Sequence, residues 1–297
     1  MKLPLVNMDT VFYPLVFGLW ALLMIALYGN HSYFGSPFSG VDVRQDTQEY
    51  YHPTSSAPDI GKLLQSLAGE RNPKERARTL EAIGIGYFDR YRATHALGCL
   101  DSAQLFVEEA TRISATVPAY YFSLARILTE KKDFPSAKAN YEKTVALDPK
   151  HYMAYHSLGL LYFYELRNPD QAKACFERAL AIDSELPVDN YMLAEIAMGK
   201  GDPLSAVQHY QREVALYTSG LSGKAYFLAD PASLRLAATL SSLQLSMLYS
   251  TSAHNAQLAQ NYFNLYLKLE TDQQRRQNSI NQIQKYWSIS NKGAAAP

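Results

Sequence analysis

"DFPSAKANYEKTVALDP" (Asp133–Pro149), "NPDQAKACFERALAID" (Asn168–Asp183) and "DPLSAVQHYQREVALY" (Asp202–Tyr217) are three renderings of one pattern. Each opens on Asp or Asn with a proline one or two places on. Each then carries small and apolar residues at helical spacing. The ladder extends upstream: Leu124, Leu158 and Leu193 stand 34 and 35 residues apart. Ala137, Ala172 and Ala206 follow at 35 and 34, with Tyr141, Phe176 and Tyr210 four places later. Two helical stretches split by a short turn make one unit, and a unit repeated at fixed period predicts a stacked array. Asn168-Pro169, Asp202-Pro203, Asn72-Pro73 and Asp230-Pro231 place an acceptor at the N-cap and proline at the first helical position. Glu75, three residues after Asn72, completes the pattern of a capping box.

These units resemble tetratricopeptide repeats. Tyr155, Leu158, Gly159, Tyr162, Ala172, Phe176 and Ala179 fit the family pattern, with one extra residue around "LRNPD" and Ser184 in place of the closing proline. The unit before supplies Tyr121, Leu124, Ala125, Leu128, Ala137, Tyr141 and Pro149, with Thr144 at the third small position. The unit after supplies Leu193, Ala194, Ala197, Ala206 and Tyr210, and departs from the pattern at Asn190 and Glu213. Small residues let paired helices approach, and the aromatic fills the space beside them. The resemblance implies an all-α, right-handed superhelical solenoid.

The domain reading places three clear repeats at 118–217. Residues 59–117 hold N-terminal helices with a degenerate, extended repeat, built from Leu80, Ile83, Gly84, Tyr87, Ala103, Val107 and Ala110. Residues 218–230 form a loop, and 231–271 a second degenerate repeat around Leu245, Tyr249, Ala259 and Phe263. A polar capping helix at 272–290 and a tail at 291–297 close the chain, as a solenoid end requires.

Ahead of the repeats, after a short N-terminal segment at 1–10, lies "VFYPLVFGLWALLMIALY" (Val11–Tyr28), without a charged residue. As a helix it would span about 27 Å at about 1.5 Å per residue, close to a hydrocarbon core. It is longer than the apolar run of a cleaved signal and is expected to be a single transmembrane helix. Lys2 precedes it and no Lys or Arg follows until Arg44. The positive-inside rule then sets the N-terminus in the cytoplasm and the repeats on the far side, in a bacterial periplasm. Residues 29–58, rich in Gly, Ser and Pro, read as a linker with a reach of about 30 Å if flexible.

Composition narrows the function. Of 297 residues, 47% are hydrophobic and 19% charged, which excludes a disordered chain. Lys plus Arg equals Asp plus Glu at 28 each, so there is no basic excess for nucleic acid. The seven histidines are scattered, without the helical pairing or cysteine spacing of a zinc site. Cys99 and Cys175 both read as small buried hydrophobes in helices. No nucleophile elbow or phosphate loop is present. The expectation is a non-enzyme without a cofactor.

By the resemblance, the first helix of each repeat lines a concave face that binds peptides or protein segments. The positions that map there are Phe122 and Arg126 in the first clear repeat, Met153, His156, Leu160, Phe163 and Tyr164 in the second, and Tyr191, Glu195 and Met198 in the third. The Lys and Asn clamp of chaperone-binding relatives is absent. The aromatic and methionine character suits an apolar or amphipathic protein segment. The expected function is a membrane-anchored protein–protein interaction scaffold of an envelope complex. The alternatives are a permanent structural subunit of a larger membrane complex and the non-catalytic frame of an enzyme.

Overall fold

The structure is a computed structural model that describes residues 59–184, 186, 188–219, 231–251, 255–281 and 283. The apolar stretch 11–28 and the linker 29–58 lie outside the described residues, as do 220–230 and the tail. Among the described residues there is no strand, and no helix is long and apolar enough to cross a membrane.

The helices are α1 (Ile60–Gly69), α2 (Pro73–Thr94), α3 (Leu97–Ile113), α4 (Pro118–Glu130), α5 (Phe134–Leu147), α6 (Tyr152–Leu160), α7 (Pro169–Ile182), α8 (Asp189–Gly199), α9 (Pro203–Thr218), α10 (Pro231–Thr251), α11 (Ala256–Leu269) and α12 (273–281). The described chain falls into two compact units. One holds 59–193 with 215–219 and 231–234; the other holds 194–214 and 235–283. In the first unit α2 pairs with α3, α4 with α5 and α6 with α7. Each pair packs on the next through α3 against α4 and α5 against α6, the stacking of an α-solenoid.

Caps start these helices as the side chains dictate. Asn72 Oδ1 accepts from the Lys74 N–H at 2.9 Å, and Asn168 Oδ1 from the Gln171 N–H at 3.1 Å. Asp202 Oδ1 accepts from the Ser205 N–H at 3.1 Å. The capping box expected at Asn72 does not form. The Asn72 N–H donates to Glu70 Oε1 at 2.8 Å, while Glu75 is drawn to Arg78 at 2.8 Å. A carboxylate one turn from a guanidinium gains more there than from a neutral N–H already served by Glu70.

Three equivalent turns join the first and second helices of the clear repeats. Lys132 (φ 62°), Arg167 (φ 52°) and Gly201 (φ 73°) hold the left-handed position in each. In the first, the Asp133 N–H donates five residues back to the Leu128 carbonyl, at 2.9 Å. In the third, the Asp202 N–H donates to Ala197, again five back, at 2.9 Å. In the second, the Asn168 N–H reaches six back to Tyr162, at 2.8 Å. The extra residue is absorbed just upstream, where Leu161–Glu165 is π-helical and the Leu166 N–H donates to Leu161 at 3.0 Å. One surplus residue widens a helical turn and leaves the next helix in register.

The helix pairs close around small residues. Ala137, Ala172 and Ala206 are fully buried, and Tyr141, Phe176 and Tyr210 lie buried beside them. A Cβ added at Gly84 would collide with Val107 and sit 3.0 Å from the Ala103 carbonyl oxygen. Thr144 replaces a small residue without leaving its hydroxyl orphaned, because Oγ1 donates to the Asn140 carbonyl at 2.9 Å. The second unit is centred on Leu243, Phe263, Tyr266 and Ile283, with the Tyr266 hydroxyl donating to Ser279 Oγ at 2.8 Å.

Candidate protein-binding face

The first helices α2 and α4 lie against each other and present facing stripes at three- and four-residue spacing: Glu81, Phe88 and Asp89 on α2, and Phe122, Ser123, Arg126 and Glu130 on α4. Arg126 anchors this face. Its guanidinium lies 5.0 Å from the Phe88 ring and 5.8 Å from the Phe122 ring, within cation–π range of both. Ser123 Oγ donates to Glu81 Oε1 at 2.9 Å.

Burial holds the carboxyls of Glu81, Asp89 and Glu130 above their ordinary range. The Ser123 hydroxyl and the Arg126 charge oppose this at Glu81. The charges of Arg126 and Arg92 oppose it at Asp89, and those of Arg92, Arg126 and His95 at Glu130. The face is therefore a partly desolvated charge network with aromatic walls, in which Arg126 acts on all three acids. Glu81, Asp89 and Glu130 were not among the sequence-derived candidates. Their signal was helical spacing, since residues 81 and 89 share a face of α2 and residues 126 and 130 a face of α4.

The other sequence-derived positions divide by burial. Phe122, His156, Phe163 and Tyr191 are buried and act here as packing residues rather than exposed anchors. Phe122 sits 4.8 Å from the His151 ring and 6.0 Å from Tyr141. Phe163 meets Tyr164 edge-on at 5.0 Å. Arg126, Met153, Leu160 and Tyr164 are half-buried and keep some access to solvent. The Tyr164 hydroxyl lies 3.8 Å from Met192 Sδ. Glu195 and Met198, also half-buried, belong to the second unit, where Glu195 Oε1 accepts from the Tyr210 hydroxyl at 2.6 Å. Glu142 pairs with Lys138 at 3.6 Å and accepts from the Tyr162 hydroxyl at 3.2 Å. Lys143 lies over the Tyr121 ring.

Sequence reasoning also missed the partner of His156. Its Nδ1 meets Oδ1 of Asp189, a fully buried carboxylate at the start of α8. Burial raises the Asp189 pKa, and the charge and hydrogen bond of His156 pull it down. Cys175 on α7 is buried nearby. Its thiol is pushed up to about 11 by burial, with the Glu142 and Asp189 charges adding to the effect, which disfavours the thiolate. Among the described residues no group of acids, histidines and cysteines could hold a metal ion.

Residues 118–151 and 154–186 each match the family described as tetratricopeptide repeat. Among solved structures, pilF of Pseudomonas aeruginosa is similar at 16% identity, over 75% of this chain and 97% of that one, with a TM-score of 0.52. A chain of the APC/C hetero-tetramer Cut9–Hcn1 is similar at 17% identity, over 78% of this chain and 40% of that one, with a TM-score of 0.52. MamA of Desulfovibrio magneticus is similar at 17% identity, over 64% and 96% of the two chains, with a TM-score of 0.47. No curated protein matches the chain. At these identities the likeness is one of fold. The chain carries tetratricopeptide repeats in an all-helical solenoid, the fold of protein–protein interaction scaffolds.

Proposed function

We propose that this protein is a non-catalytic, membrane-tethered scaffold that holds a protein partner of an envelope assembly through the first-helix face of its repeats. The observation that carries the reading is the Arg126 network. Three partly desolvated carboxylates and two aromatic rings converge on one guanidinium, on the face that tetratricopeptide proteins use for recognition. Such a face suits an amphipathic segment: the half-buried Met153, Leu160 and Tyr164 offer apolar contact, and the network offers polar contact. The tether rests on the uncharged stretch Val11–Tyr28. Anchoring would confine the face near its clients and raise their effective concentration.

The test is purification of the full-length chain from membranes in mild detergent, with mass spectrometry of what accompanies it. A partner retained by the wild type and lost from an Arg126→Ala, Tyr164→Ala variant with unchanged far-ultraviolet dichroism supports the reading. A partner indifferent to both substitutions removes the face from it. Recovery of the wild-type chain in the soluble fraction removes the tether.

A further inference from the structure

We propose that the His156–Asp189 pair is a proton-held latch on the first turn of α8, closed while the pair keeps its one proton and loosened when that proton leaves. The inference stands apart from the scaffold reading.

Three features meet at this point. The two side chains are 33 residues apart in sequence, on α6 and α8, and both are buried. Oδ2 of Asp189 is buried with no hydrogen-bond partner among the described residues. Val188, immediately before it, is fully buried with φ at 75°. A β-branched residue in the left-handed region is strained, and such strain persists only where the surroundings impose it. The Val188 carbonyl accepts from the Met192 N–H at 2.9 Å, so the strained residue opens the helix.

With one proton shared, the pair is neutral overall, whether written as imidazolium and carboxylate or as imidazole and carboxyl. Once the proton leaves, a carboxylate remains in the interior with no opposing charge, a costly state. Among the described residues, His156 is the charge that acts on the Asp189 carboxyl, and the other groups of this cluster give no relief. Glu142 on α5 is of the same sign, and the Cys175 thiol on α7 is neutral. The Asp183 charge, at the end of α7, acts on Tyr152. The Phe176 ring, 6.2 Å from the His156 ring, contributes no charge. Opening the first turn of α8 would give the carboxylate water and let Val188 return to an ordinary conformation. Both changes favour the open form, and they occur together.

The linkage sign agrees. A carboxyl whose folded-state pKa is raised binds its proton more tightly in the closed form. The closed form is therefore fully supported below the ordinary carboxylate pKa and loses support as pH rises through the raised value. Between those two values opening releases one proton, and the opening equilibrium changes by about tenfold per pH unit.

Hydrogen exchange tests this on the full-length chain between about pH 5.5 and 8.5, with the intrinsic base-catalysed rate divided out. Protection at Asn190–Leu193 is expected to fall with rising pH, by up to about tenfold per unit, while Gln260–Phe263 in α11, away from any carboxyl that burial holds high, stays constant. Asp189→Asn, which removes the buried carboxyl, is expected to show no fall of protection with rising pH. His156→Gln keeps the buried carboxyl but removes the group that pulls its pKa down, so its fall is expected to persist and move to higher pH. Wild-type protection that does not change with pH overturns the proposal, even if neither variant folds. So does a fall that survives in Asp189→Asn.

Discussion

Gly159 on α6 lies directly beneath the ring of Phe176 on α7: a Cβ at 159 would stand 2.7 Å from Cε1 and 2.9 Å from two further ring carbons. Phe176 is itself fully buried and cannot swing away into solvent. Gly159→Ala removes a helix-weakening glycine, worth about 0.5–1 kcal/mol in its favour. It also overpacks a closed contact, which costs about 1–3 kcal/mol. The net expectation is a loss of about 1–2 kcal/mol, read as a lower urea midpoint at unchanged slope. A midpoint equal to or above wild type would mean the α6–α7 contact can yield.

The π-helical segment predicts an asymmetry between repeats. Deleting Glu165 removes the surplus residue and lets the Asn168 N–H bond five residues back, as Asp133 and Asp202 do. The deletion is expected to keep the urea midpoint at or above wild type. Deleting Lys131, 34 residues before Glu165 in a repeat with no surplus, breaks the Asp133–Leu128 turn and is expected to lower it strongly. Equal losses from both deletions would show that the segment is not where the extra residue is taken up.

Arg126 moderates three carboxyls that burial holds high, at Glu81, Asp89 and Glu130. For such groups the folded state is fully supported below the ordinary carboxylate pKa, near 4. Support is lost as pH rises through the raised values. Arg126→Met removes a cation that favours the ionised forms. Its destabilisation should therefore be larger at pH 8 than at pH 5 in urea unfolding. A pH-independent difference would deny the network.

Capping offers a matched pair of tests. Asn168→Ala leaves the Gln171 N–H without its acceptor and should cost about 1 kcal/mol. Helix α3 begins at Ala96 with no side-chain cap, and Ala96 is exposed. Ala96→Asp should therefore gain up to about 1 kcal/mol. Thermal or urea unfolding of the two variants reads both signs.

The repeat architecture was legible because its causes are local. Apolar periodicity, Asn or Asp before proline, and small residues at a fixed interval act within a turn or two. Even the surplus residue showed as 35 positions where 34 were expected between Ala137 and Ala172. Its resolution into a π-helical turn at Leu161–Glu165 was decided by the next helix, which had to stay in register for Phe176 to cover Gly159.

The face was less legible. Periodicity marks which side of a helix is apolar, but how deeply a side chain sinks depends on its neighbours in three dimensions. Phe122, His156, Phe163 and Tyr191 fall at positions that sequence alone assigns to an open groove, and packing buries them. Glu81, Asp89 and Glu130 read as ordinary surface acids until α2 and α4 bring them around Arg126. The meeting of His156 with Asp189 joins residues 33 positions apart through the stacking of one repeat on the next. The sequence by itself determined the helices, their caps and their pairing, because those rest on short-range spacing. Only the tertiary structure decided which polar groups are desolvated together, because burial and charge coupling arise between helices.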